Sequence, residues 1–132
     1  MIETKGVVHF TIPVSDLDRS EAFYRDILGM KTVQRAPAPL NMVFMKSGED
    51  FVILAKSKTP IEPNPGAERF VHHAFRIGLD EYEAAHAFLL EKGVTIIHEE
   101  ERVDGVFRGK QCHFHDPDRN VLEVIALSGI GP

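Results

Sequence analysis

The chain repeats itself, and that repeat limits what it can fold into more than any single residue does. Val7-Val8-His9-Phe10-Thr11-Ile12 lays over Phe70-Val71-His72-His73-Ala74-Phe75 and puts His9 on His72; after a one-residue slip, Gly29 falls on Gly93. In each copy a short apolar, β-branched run is followed by a helical pattern that stops at the glycine. The first helix is predicted from a Ser15/Asp18 capping pair to about Leu28, with Ala22, Phe23, Ile27 and Leu28 inward and Arg19, Glu21 and Arg25 outward. The second follows an Asp80/Glu83 pair and buries Ala85, Phe88 and Leu89.

Further strands are expected at Lys31–Arg35, Asn41–Lys46 and Asp50–Lys56, with Ser47-Gly48-Glu49 as a hairpin turn. In the second copy they are expected near Val94–His98, Lys110–His115 and Val121–Ala126, the last pair joined by Asp116-Pro117-Asp118-Arg119-Asn120. Between the copies, residues 57–68 carry Pro60, Pro63, Pro65 and Gly66, which read as a linker. The result is an α+β chain of two βαβββ modules, about 6–56 and 69–127, in one domain of 132 residues, because half a chain of this size cannot bury its sheet alone.

The net charge is −5 and the basic residues are scattered, which argues against nucleic acid and anionic membranes as partners. The single cysteine, Cys112, has no internal partner for a disulfide, and no signal peptide or membrane span is read, so a cytoplasmic location is expected. Cys112 itself reads as a small buried residue.

Strand alternation separates Val7, His9 and Thr11 from Val8, Phe10 and Ile12, the second set being the expected helix-packing core. It also separates Phe70, His72, Ala74 and Arg76 from Val71, His73, Phe75 and Ile77, so only one of His72 and His73 faces a cavity. The match to His9 selects His72. Glu123 lies between apolar neighbours, where a carboxylate has to be solvated, protonated, paired or metal-bound. His113 shares a strand face with His115 and is the sharper candidate for proton transfer near neutral pH; a solvated histidine near a hairpin is the plainer reading.

Val14-Ser15-Asp16-Leu17, Phe23-Tyr24-Arg25-Asp26-Ile27-Leu28-Gly29-Met30, His72-His73-Ala74-Phe75 and Asp116-Pro117-Asp118-Arg119-Asn120-Val121-Leu122-Glu123 together resemble the vicinal oxygen chelate superfamily. That superfamily includes glyoxalase I, extradiol dioxygenases, fosfomycin-resistance proteins and bleomycin-binding proteins. The resemblance covers Gly6 to Leu127 and implies a curved, open sheet with a metal on its concave side, usually in a homodimer whose halves pair within one chain or swap between two. It implies His9, His72 and Glu123 as metal ligands. The fourth ligand of glyoxalase I-like members falls by position on Leu54, which cannot ligate, so glyoxalase activity is disfavoured. An open site of two histidines and one carboxylate suits Fe(II) or Mn(II). The reading placed first is an extradiol dioxygenase-like enzyme acting on a small oxygen-bearing substrate; the second is a fosfomycin-resistance-like thiol transferase or epoxide hydrolase; the third is a metal-free binding protein of the bleomycin-resistance kind. Thr11, Arg76, Arg108 and Lys110 are candidate substrate contacts, and His113 the candidate catalytic residue.

Overall fold

The computed structural model describes residues 1–131. Its elements run β1 (His9–Val14), α1 (Leu17–Asp26), β2 (Lys31–Ala36), β3 (Met42–Ser47), β4 (Asp50–Lys56), a short 3-10 turn (Pro65–Ala67), β5 (His72–Ile77), α2 (Tyr82–Glu91), β6 (Ile96–Arg102), β7 (Phe107–His115) and β8 (Val121–Ile130). The chain divides into two units, Met1–Ile61 and Glu62–Pro132, and the division falls inside the proline-rich segment. Each unit is a βαβββ module with a four-stranded sheet, in the order β1-β4-β3-β2 and β5-β8-β7-β6. The outer β1–β4 and β5–β8 pairs are parallel and the rest antiparallel. The α+β class and the repeated module are as the sequence predicts.

In the first unit the helix-covered face is a lattice of cross-strand neighbours: Ile12 beside Leu54, Leu54 beside Val43, and Val52 beside Met45, all at most 3% exposed. Each such side chain contributes about 1.5–3 kcal/mol when fully buried. Phe10 and Val8 do not join them. They are 46% and 80% exposed, because Val8 precedes the strand and Phe10 lies at its start, on the sheet's outer strand.

Helix α1 differs from its expected face. Ser20, Glu21 and Tyr24 are buried, whereas Ala22 and Phe23 are only partly so. A buried glutamate needs partners, and β2 supplies them: Arg35 Nε donates to Glu21 Oε1 at 2.9 Å, its Nη2 reaches Oε2, and the Thr32 hydroxyl donates to Oε2. Arg35 in the first place, with Thr32, holds the Glu21 carboxyl below the usual glutamate range despite its burial. The N-cap is Asp16 rather than Ser15, its side chain accepting from Arg19 N at 3.0 Å. Ser15 Oγ instead accepts from the Arg19 guanidinium. The expected Asp80/Glu83 cap of α2 is also absent: Glu81 is the N-cap residue without a side-chain cap bond, and its carboxylate accepts from Gly78 N at 2.8 Å. Both helices stop where Gly29 and Gly93 turn with φ of 66° and 70°, the left-handed region that glycine enters without steric cost.

The last three strands of the second unit are longer than predicted. Strand β6 runs on past His98 to Arg102, and β8 runs on to Ile130. Gly109 forms a bulge opposite Leu127, and a Cβ there would lie 2.1 Å from Ala126 O. The turn between β7 and β8 is built on Asp116, which is 4% exposed. Its Oδ1 accepts from Asp118 N and Asn120 N, both at 2.8 Å, and its Oδ2 from the Asn120 amide at 2.9 Å.

Two consequences are measurable. The Glu21 pair is stabilising while the carboxylate is ionised, so its contribution is present above the ordinary glutamate pKa and is lost as pH falls through the lowered folded value. Arg35→Met, which leaves Glu21 buried without its cation, is expected to lower the melting temperature at neutral pH and to move the acid-unfolding midpoint upward, both read by circular dichroism. Asp116→Ala strips three hydrogen bonds from a buried turn and is expected to cost about 1–3 kcal/mol in urea unfolding, since buried donors lose their acceptor.

Candidate metal centre

The second unit carries a cluster on the sheet face opposite its apolar core. Strand β8 is central, and its register places Glu123 beside Ala74 on the parallel side and beside His113 on the antiparallel side. His72, two residues before Ala74, points to the same face. Glu123 Oε1 lies 3.1 Å from both His72 Nε2 and His113 Nε2. One ligand atom from each of the three lies within 4.8 Å of the others. The two imidazole rings meet edge to face, 4.8 Å between centroids. Glu123 and His113 are buried, and the His72 side chain is 30% exposed.

The setting of His72 begins in the linker. Asn64 accepts from Val71 N at 2.9 Å and donates to Val71 O at 2.8 Å, which ties the 3-10 turn to the entry of β5. The chain before His72 then presents Arg69 O and Phe70 O to its Nδ1, at 2.9 and 3.1 Å. Carbonyl oxygens only accept, so Nδ1 carries a proton. In the neutral ring Nε2 is then a bare lone pair, facing a carboxylate oxygen at 3.1 Å. Two acceptors at that distance repel unless a cation binds both, which a divalent metal can do. An imidazole whose second nitrogen donates to a backbone carbonyl is the usual form of a metal-ligating histidine, so His72 and Glu123 fit a metal.

His73 belongs to the other face. It is half-buried, and its burial, followed by the neighbouring His72, lowers its pKa, with Asp116 acting the other way. The alternation that selects His72 over His73 as the cavity-facing residue agrees with this placement.

The register also corrects the fourth position. In the second unit Glu123 pairs with the residue two after His72; in the first unit Thr11, two after His9, pairs with Ile53. The counterpart of Glu123 is therefore Ile53, whereas Leu54 pairs with Ile12 and is wholly buried under the helix. Phe44, opposite Ile53, is likewise the counterpart of His113. The first unit thus has His9, Phe44 and Ile53 where the second has His72, His113 and Glu123. An aliphatic residue still stands at the fourth position, but it is a different one. His9 and Thr11 are exposed on β1 of the first unit.

A cavity of about 390 Å³ opens over the cluster, lined among others by Arg69, Arg102, Phe107 and Gln111. Sequence reasoning missed both arginines, which lie at the linker's end and beyond the expected end of β6. Gln111 was legible, being two residues from His113 on the same face. Arg102 Nη2 is 2.7 Å from Glu100 Oε1, and Arg69 Nη2 is 3.4 Å from His98 Nε2. Arg76 lies on the same face of β5 as His72 and is exposed. Lys110 is placed elsewhere: alternation turns it to the helix side, where it pairs with Glu83 of α2. Arg108 spends its guanidinium on the carbonyls of Gly105 and Gly131. Cys112 is buried, which pushes its thiol up to about 11.

Residues 6–124 match the model of the Glyoxalase/Bleomycin resistance protein/Dioxygenase superfamily, and the chain belongs to that family. The glutathione transferase FosA of Serratia marcescens is 27% identical over 116 residues, covering 88% of this chain and 77% of that protein. The fosfomycin resistance protein FosX of Listeria monocytogenes is 28% identical over 123 residues, covering 92% and 89%. A crystal structure of a variant of that FosX, complexed with Mn(II) and 1S,2S-dihydroxypropylphosphonic acid, shares this fold with a TM-score of 0.77 over 94% of this chain and 93% of the other, at 22% identity. Among the described residues, no helix is long and apolar enough to cross a membrane.

If His72 and not His73 faces the cation, the two alanine variants separate. After dialysis against Mn(II) and gel filtration, His72→Ala is expected to lose stoichiometric metal and His73→Ala to keep it, by elemental analysis of untagged protein.

Proposed function

We propose that the chain is a divalent-metal-dependent enzyme of the fosfomycin-resistance kind, which opens an epoxide on a small anionic substrate with a thiol or water as nucleophile. One observation carries this reading: the bare Nε2 of His72 and the buried carboxylate of Glu123 converge on a position that calls for a cation, in a chain that has a glutathione transferase and a fosfomycin resistance protein among its relatives. Mn(II) is placed ahead of Fe(II), since FosX was crystallised with Mn(II). His9 is proposed as the third protein ligand, because it holds in the first unit the register position that His72 holds in the second. A bound divalent ion would supply Lewis acidity toward an epoxide oxygen.

The protein's own part is binding and orientation. Arg69 and Arg102 line the cavity and supply positive charge for an anionic group, and Arg76 adds to it from the same strand face as His72. Phe70 and Phe107 give the cavity an apolar side suited to a short carbon chain. Ring cleavage, placed first from the sequence, is the weaker reading, because the relatives named above are a glutathione transferase and a fosfomycin resistance protein.

The test is consumption of fosfomycin by Mn(II)-loaded protein, followed by phosphorus NMR with glutathione, with another thiol and with water alone. Metal-dependent conversion to a thiol adduct or a diol is expected, with His9→Ala and Glu123→Gln both inactive. Fosfomycin left intact under every condition, together with oxygen uptake on catechols under Fe(II), would overturn the proposal in favour of ring cleavage.

A further inference from the structure

Gln111 of β7 buries an amide where the fold does not require one. It is 1% exposed, it lines the cavity over Glu123, and its Nε2 has no hydrogen-bond partner among the described residues. Such a donor destabilises the empty protein, because the water it bonded in the unfolded chain is not replaced. Its neighbours do not relieve it. Register places Gln111 between Glu100 of β6 and Ile125 of β8; Ile125 is aliphatic, and the Glu100 carboxylate is engaged by Arg102 at 2.7 Å. On the helix side the Tyr82 hydroxyl donates to Gln111 O at 3.2 Å, which fixes the main chain at this point. The first unit shows that the module folds without a polar side chain here. Gln111 lies opposite Ile125, two residues beyond Glu123; in the first unit Met42 lies opposite Ala55, two residues beyond Ile53.

The place of this amide points to a ligand. Gln111 shares a strand face with His113, so about 6.6 Å along the strand separates its row of the sheet from the row of Glu123. A small molecule with one end beside His72 and Glu123 spans that distance. Arg69 and Arg102 line the same cavity and attract an anionic group, to which an amide N–H offers a further donor. Resting on the reading of a small anionic substrate given above, we propose that Gln111 is a specificity-determining residue: its Nε2–H donates to an oxygen of the substrate's oxyanion group, while the arginines balance the charge. Binding then supplies the acceptor that the empty protein lacks. A buried donor of this kind favours a ligand with an oxygen at that place and disfavours one with an apolar group there, since the second would leave the amide unpaired.

Methylphosphonate, which carries an oxyanion but no epoxide, is the probe. It is titrated calorimetrically into full-length wild type, Gln111→Leu and Gln111→Glu, with melting temperatures recorded on the unliganded proteins. Gln111→Leu is expected to weaken binding about 10–100-fold, as for loss of one hydrogen bond to a charged group. Its melting temperature is expected to equal or exceed that of wild type, because the substitution removes an unpaired amide and no internal hydrogen bond. Gln111→Glu keeps the shape of the side chain but replaces the donor with a negative acceptor, and is expected to abolish binding. Wild-type affinity in either variant overturns the proposal, as does a wild type that binds no methylphosphonate. A lower melting temperature in Gln111→Leu also overturns it, since the amide would then have a partner inside the protein. The fosfomycin assay separates this from the reading on which it rests: a wild type that binds methylphosphonate through Gln111 and leaves fosfomycin intact loses the epoxide chemistry and keeps the oxyanion contact.

Discussion

The register of β8 between β5 and β7 is the constraint on which the rest of this site depends. Side chains on a strand alternate with a period of two, so a slip of one residue would turn Glu123 into the helix-covered core and bring Leu122 out in its place. The slip is opposed on both sides of the strand: Leu122 and Val124 are buried on one face, Val121 and Ile125 on the other. The Asp116 turn fixes where the β7–β8 hairpin begins, and with it the pairing of His113 with Glu123. A buried carboxylate is therefore held between two imidazoles by apolar packing and a hydrogen-bonded turn rather than by its own attraction to them.

The two units show what such a carboxylate demands. Both use the same strand order and equivalent registers, yet one places Ile53 and Phe44 where the other has Glu123 and His113. Apolar residues at those positions need nothing further. The polar residues have to be placed, and the second unit does this for His72 through the carbonyls of Arg69 and Phe70, which fix its ring beside Glu123. The repeat is structural, and the chemistry is concentrated in one copy.

Much of this was legible in the sequence. The repeat, both helices, the order of the strands and the preference for His72 over His73 follow from hydrophobic periodicity, which is a local property. The failures share a cause. Glu21 looks like a solvent-facing helix residue until β2 brings Arg35 and Thr32 against it, and Lys110 looks like a substrate contact until alternation carries it to Glu83 of α2. Leu54 was placed by counting along the strand, and Ile53 appears only when the parallel partner of Thr11 is known. Gly109 carries no sequence signal of its own, yet Ala126 O leaves no space there for a side chain. Asp16 displaced Ser15 as the cap because capping depends on which residue leaves helical geometry, a choice that one position of sequence does not settle.

By itself, the sequence determined that this chain would form two βαβββ modules and that His72, rather than His73, shares a strand face with Glu123. Periodicity and turn chemistry are written into neighbouring residues, so they survive without a structure. Only the tertiary structure decided that His113 lies on Glu123, that Arg69 and Arg102 reach the same cavity, and that His72 has its proton on Nδ1. Those facts depend on pairings between strands far apart in the chain, and on carbonyl groups whose directions no side chain encodes.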